Sequence, residues 1–191
     1  SIAMLRKSFY RVRKNRKAFL FLCAYFFYID GVDTIIRMAA SFGTTVGINS
    51  TTLLVILLVT QFIAFPFAII YGKLAQIFKG KAMLIAGICV YIVICIFAFF
   101  LKTAREFWIL SILVGSSQGG IQALSRSYFA KMIPKENSNE FFGFYNIFGK
   151  FAAIMGPFLV GIVTQITGDV RNGVLSLILI FIVGVVLLLK D

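Results

Sequence analysis

The sequence predicts an all-α membrane protein, with six transmembrane helices arranged as a 3+3 inverted repeat. Three observations carry that expectation. Of the 191 residues, 60% are hydrophobic and only 14% are charged, and the mean hydropathy is +0.97. Apolar runs long enough to span a bilayer, about 18 residues or more, recur at about 18–42, 51–72, 82–101, 107–133, 141–165 and 172–189. Finally, Pro66 and Pro157 each fall in the middle helix of a three-helix group, and each is followed by Phe. Those two helices would run in opposite directions, as an inverted repeat requires. Spanning strands would need in/out alternation over about ten residues, whereas LIAGICVYIVICIFAFFL is continuously apolar.

Residues 1–17 carry Arg6, Lys7, Arg11, Arg13, Lys14, Arg16 and Lys17 and no acid. By the positive-inside rule this end stays cytoplasmic. Lys73, Lys79 and Lys81 follow the second run, Arg126, Lys131 and Lys135 are assigned to the fourth-to-fifth connection, and Lys190 closes the chain. All of these fall on the same side. Only Lys102, Arg105 and Arg171 fall opposite, so both termini are expected in the cytoplasm. The domain reading is a basic cytoplasmic linker over 1–17 and a six-helix transmembrane domain over 18–191. A basic stretch beside a span is a topology signal that also meets anionic lipid, so nucleic acid is not an expected partner. No small-residue cleavage site marks a signal peptide. The chain opens on Ser1 without Met, which reads as a segment or processed form of a longer product.

The first span, KAFLFLCAYFFYIDGVDTIIRMAASFG, holds Asp30, Asp33 and Arg37. Charges at membrane depth cost about 2.5–3.5 kcal/mol each on insertion scales and by default mark a pathway or a pair. At 100° per residue Phe26, Asp30, Asp33, Thr34, Arg37 and Ser41 share one stripe. The second span carries Pro66, a residue that bends helices where neighbours satisfy the freed carbonyl. The third is almost free of polar side chains and suits lipid. In the fourth, Ser111, Gly115, Gln118, Gln122 and Ser125 share a face, and Gly115 with Gly119 forms a small-xxx-small pattern for close packing. The fifth sets Asn146 and Lys150 on one face with Gly143 and Pro157, and pairs Gly149 with Ala153. The sixth is as bland as the third.

Depth adds a constraint. At 1.5 Å per residue, Asp30 lies about 18 Å into the first span, Lys150 about 14 Å into the fifth and Gln118 about 17 Å into the fourth, all near the midplane. Arg37 lies nearer the outer surface. Two arrangements remain open: Lys150 with Asp30 and Arg37 with Asp33 as structural pairs, or a polar cavity that binds a charged or zwitterionic solute or takes up a proton. Cys23, Cys89 and Cys95 all lie in apolar runs and read as packing residues. With no His and no paired catalytic groups, neither a metal site, a cofactor nor an enzyme is expected.

A basic entry, two inverted helix triplets, polar first and fourth helices and bland third and sixth ones resemble the C-terminal half of a major facilitator superfamily transporter. In that family the first and fourth helices of a half line the cavity, and the second and fifth meet the other half. The stretch GKLAQIFKGK resembles the family's loop signature between second and third helices at Gly72, Leu74, Ala75 and Lys81. Gln76 replaces its acid and Ile77 its Arg. YFFYIDGVDTIIRMAASFG, GSSQGGIQALSRSYFAKMIP and EFFGFYNIFGKFAAIMGPFLVG are similar to the branch of autophagy-related vacuolar amino-acid effluxers and its bacterial members. The resemblance implies secondary active transport of a small polar or zwitterionic solute, with amino-acid efflux as the family's activity. It implies as partners the solute, the lipid bilayer, a second six-helix half or another copy, and a coupling proton or ion, in a bacterial cell membrane. It makes Asp30, Asp33, Arg37, Gln118, Gln122, Asn146 and Lys150 the candidate pocket and gating residues. The competing expectation is a non-transporting membrane module whose buried charges only hold helices together.

Overall fold

The computed structural model describes residues 9–190, so residues 1–8, with Arg6 and Lys7 of the basic segment, and Asp191 lie outside the described residues. Among the described residues six helical spans are present, each apolar and long enough to cross a membrane. The first is α1 (Arg16–Thr45), the second α2 (Ser50–Ile77), the third α3 (Gly80–Phe100) and the fourth α4 (Ala104–Met132). The fifth is split into α5 (Ser138–Ala152) and α6 (Met155–Thr167), and the sixth is α7 (Val170–Leu189).

Local chemistry fixes where the helices start. The Asn15 side chain accepts from the Ala18 amide at 3.3 Å to open α1, and Asn49 accepts from Thr52 at 2.8 Å to open α2. Thr103 and Glu106 form a reciprocal capping box at α4, which satisfies two otherwise orphaned amides. Gly168, at φ 74°, ends α6 in the left-handed conformation, and Asp169 caps α7 through the Arg171 amide at 2.8 Å.

Two boundaries differ from the sequence reading. The signature stretch read as a loop is helical as far as Ile77, leaving only Phe78 and Lys79 between α2 and α3. Gly72, Leu74 and Ala75 therefore sit on the last turns of α2, and Lys81 lies on α3. Nothing there forces an earlier stop, because one glycine costs a helix only about 1 kcal/mol. Likewise Arg126, assigned above to a connection, lies on α4, which continues to Met132.

The prolines behave differently from each other. α2 runs through Pro66, whereas the fifth span breaks at Ala153 and Ile154, just before Pro157. Each proline lacks an N–H and crowds the carbonyl four residues earlier. Gly156 adds a second helix-weakening residue at the break, while Pro66 stands between Phe65 and Phe67.

Packing follows a pseudo-twofold. α1 packs on α7 and on α5 and α6, and α4 packs correspondingly on α3 and α2, while α3 meets α7 behind them and α1 meets α4 at the centre. The α4–α2 approach depends on glycine: a Cβ on Gly115 would stand 2.8 Å from the Thr60 carbonyl oxygen, and one on Gly119 would collide with that of Ala64. The first and fourth spans are the most buried, and the second and fifth the least. Leu58, Phe62 and Phe65 of α2 and Phe151, Phe158 and Ile166 of the fifth span are exposed.

Candidate functional site

Because α3 and α7 cover the back of α4 and α1, the open sides of α1 and α4 point the opposite way, toward the front shared with α2 and α5. Polar side chains on this front divide into open and buried groups. Arg37, Gln122, Asn146 and Lys150 are exposed and Asp33 is partly exposed. Asp30 is fully buried and Gln118 nearly so. The shared stripe of the first span is thus split: Asp30 turns into the bundle while Asp33, just under a turn away, is partly exposed.

The structural ion pairs considered from the sequence do not form. Among the described residues the ion pairs are Arg11 with Glu140 at 3.3 Å and Arg171 with Asp169 at 3.8 Å. Neither joins Asp30 to Lys150 nor Asp33 to Arg37. Among the described residues, Lys150 and Arg37 are thus exposed and outside any ion pair.

Asp30 has an unusual environment. Both of its carboxylate oxygens are buried without a hydrogen-bond partner among the described residues. Thr34 Oγ1 donates instead to the Asp30 main-chain carbonyl at 2.6 Å. The amide of Gly156 faces the carboxylate from the start of α6 without closing a full hydrogen bond. Contact there is tight: a Cβ on Gly156 would collide with Thr34 Oγ1 and stand 3.1 Å from Asp30 Oδ1.

Gln118 borders a cavity of about 50 Å³ between α1, α2, α3, α4 and α7. Its wall is mostly apolar, with Thr34, Thr60, Gln61, Ser111 and Gln118 as the polar exceptions. The Gln118 Oε1 atom is buried and unpartnered. That volume has room for a few waters at about 10–15 Å³ each, and the Gln118 oxygen gives one of them an acceptor.

Toward the basic end the front is closed by rings that the sequence reading did not single out. Tyr25 stacks on Tyr145 at 4.2 Å, and Phe129 stacks on Tyr145 at 5.3 Å and on Phe21 at 5.6 Å. Tyr28 bonds Ser125 at 2.7 Å. The Arg126 guanidinium lies 5.3 Å above the Phe142 ring, within cation–π range. Together these tie α1, α4 and α5. The available signal was the aromatic spacing of Phe21, Tyr25 and Tyr28, which places them on one side of α1.

The segment before α1 also docks. Residues 9–14 are helical, with Val12 buried. Phe9 packs on Phe19 and Phe144, Asn15 Nδ2 donates to the Met132 carbonyl at 3.3 Å, and Arg11 reaches Glu140.

Comparison with known proteins adds kinship to this geometry. The family described as vacuole effluxer Atg22 like matches residues 1–190. Among similar proteins, the MFS-type transporter YxiO of Bacillus subtilis is 58% identical over 188 residues, covering 98% of this chain and 44% of that protein. Autophagy-related protein 22 is 30% identical in Vanderwaltozyma polyspora and in Saccharomyces cerevisiae, covering 87% of this chain and 34% of each relative. The chain thus spans less than half the length of the curated relatives it matches.

Proposed function

The chain belongs to the Atg22-like vacuole effluxer family, and from that premise we propose that it forms one six-helix half of a secondary active transporter. The single observation that carries the proposal is the open polar front: Arg37, Gln122, Asn146 and Lys150 stand exposed, and Asp33 partly exposed, on α1, α4 and α5. Exposed charges at membrane depth are costly against lipid. They become tolerable when they face a watered space between two halves. In this reading the apolar faces of α2 and the fifth span meet the second half, as the exposure of Phe62, Phe65, Phe151 and Phe158 supports.

The solute is small and polar or zwitterionic, since the front offers both signs of charge, and the family name supports amino-acid efflux. Asp33, Arg37, Gln122, Asn146 and Lys150 contact it, and Asp30 and Gln118 act as gating residues behind them. A proton or ion drives the cycle. Residues 1–17 form the linker from the preceding half, both termini lie in the cytoplasm, and the protein resides in the cell membrane.

The test is solute flux in proteoliposomes made with the full-length protein. Using radiolabelled amino acids, we expect Asp33→Asn and Lys150→Met to lower uptake at least tenfold while leaving the folded yield unchanged. Wild-type flux in both variants would remove the open front from the solute path.

A further inference from the structure

The broken fifth span poses a capping problem. The first amides of a helix have no partner within it and need an acceptor when buried. α6 begins after Ile154, which offers no side-chain cap. A capping side chain normally accepts from the second or third amide of the helix. In α6 these positions are Gly156 and Pro157, and proline has no N–H. The Gly156 amide is therefore the one ordinary capping target left, and it is the amide that faces the buried, unpartnered carboxylate of Asp30.

We propose that Asp30 serves as the N-cap of α6 from a different helix. As a positioning residue it fixes the break in the fifth span, so that α5 carries Asn146 and Lys150 on the open front. This rests on the transport reading only for its consequence in flux; the capping contact stands without it. Three further features of the contact agree. A carboxylate is favoured at the positive end of a helix dipole, which suits an aspartate on α1 facing the start of α6. Thr34 turns its hydroxyl to the Asp30 main chain, so it does not compete for the carboxylate. Glycine at 156 brings the amide close, since any side chain there would strike Thr34.

A cap needs an acceptor oxygen, whereas a solute-pairing or proton-carrying aspartate needs the ionisable group. Asn keeps the acceptor, and Leu keeps only the approximate size. The measurement is a spin-label distance across the break in the full-length protein, with Cys23, Cys89 and Cys95 replaced and labels at Ile147→Cys and Ile166→Cys. We expect Asp30→Asn to retain the wild-type distance distribution. Asp30→Leu should shift it toward the roughly 28 Å of an unbroken helix or broaden it. Gly156→Ala, which displaces the amide and leaves the carboxylate in place, should act like Asp30→Leu and serves if the Leu variant does not fold. An unchanged distribution in Asp30→Leu or in Gly156→Ala would overturn the proposal, as would Asp30→Asn behaving like Asp30→Leu. In liposomes, flux in Asp30→Leu should fall together with the loss of the wild-type distance distribution. Absence of flux in the wild-type protein would defeat the transport reading and leave the distance result standing.

Discussion

At the residue scale, the polar groups buried in this bundle differ in what each would leave behind if removed. Ser125 Oγ donates to the Ile121 carbonyl at 2.6 Å, so in the 2.7 Å contact with Tyr28 the phenol is the donor. Ser125→Ala strands a buried phenol and should cost about 1–3 kcal/mol, against about 1 kcal/mol for Tyr28→Phe, which strands only a hydroxyl lone pair. Unfolding in mixed detergent micelles checks the order; equal costs would contradict this assignment of donor and acceptor. The polar residues were easy to find in the sequence, because charges in apolar runs stand out. Their environments were less accessible. Asp30 and Asp33 are three residues apart on one predicted stripe, and what separates them is Gly156, a residue 126 positions from Asp30 in the chain. Helical periodicity assigns a face to each residue; only packing shows which part of that face is covered.

At the element scale, close approach distinguishes the glycines. Gly119 abuts the Ala64 carbonyl, whereas a Cβ at Gly72 would meet nothing within 4 Å. Gly119→Val should therefore force α4 from α2 and sharply reduce the folded fraction on size-exclusion chromatography in detergent. Gly72→Ala should leave that fraction unchanged or raise stability by about 0.5–1 kcal/mol, since Gly72 is helical. The small-xxx-small pattern at Gly115 and Gly119 signalled close packing in advance, and the six apolar runs signalled six spans. Span ends were less legible, because polar residues beyond the hydrocarbon stay helical until a cap or a glycine intervenes. Nor did the matching prolines announce their different outcomes, which depend on neighbours such as Gly156 that the proline motif does not include.

At the scale of the whole molecule, the basic segment is fastened at the end where α1, α4 and α5 meet. The Arg11–Glu140 pair is exposed, and such pairs contribute about 0–1 kcal/mol, weakened further by salt because the screening length falls to about 3 Å at 1 M. Arg11→Gln should change thermal stability by no more than that, and the difference from wild type should vanish in 1 M salt. A larger or salt-insensitive loss would mean that Phe9 and Val12, and not the ion pair, depend on Arg11. Fold class was legible because hydropathy and charge act on every residue. The closure by Tyr25, Phe129, Phe142 and Tyr145 was not, because it requires three separate helices to converge. The break in the fifth span has a mechanical consequence. α6 is joined to α7 through Gly168 and Asp169, and Gly173 lies hard against Val160 and Thr164; α7 is in turn wedged between α1 and α3. The fifth span is then a fixed post above a hinged leaf, and α5 is the leaf. If so, backbone amides of α5 should exchange with deuterium faster than those of α6, and equal rates would argue for a span that swings as one piece.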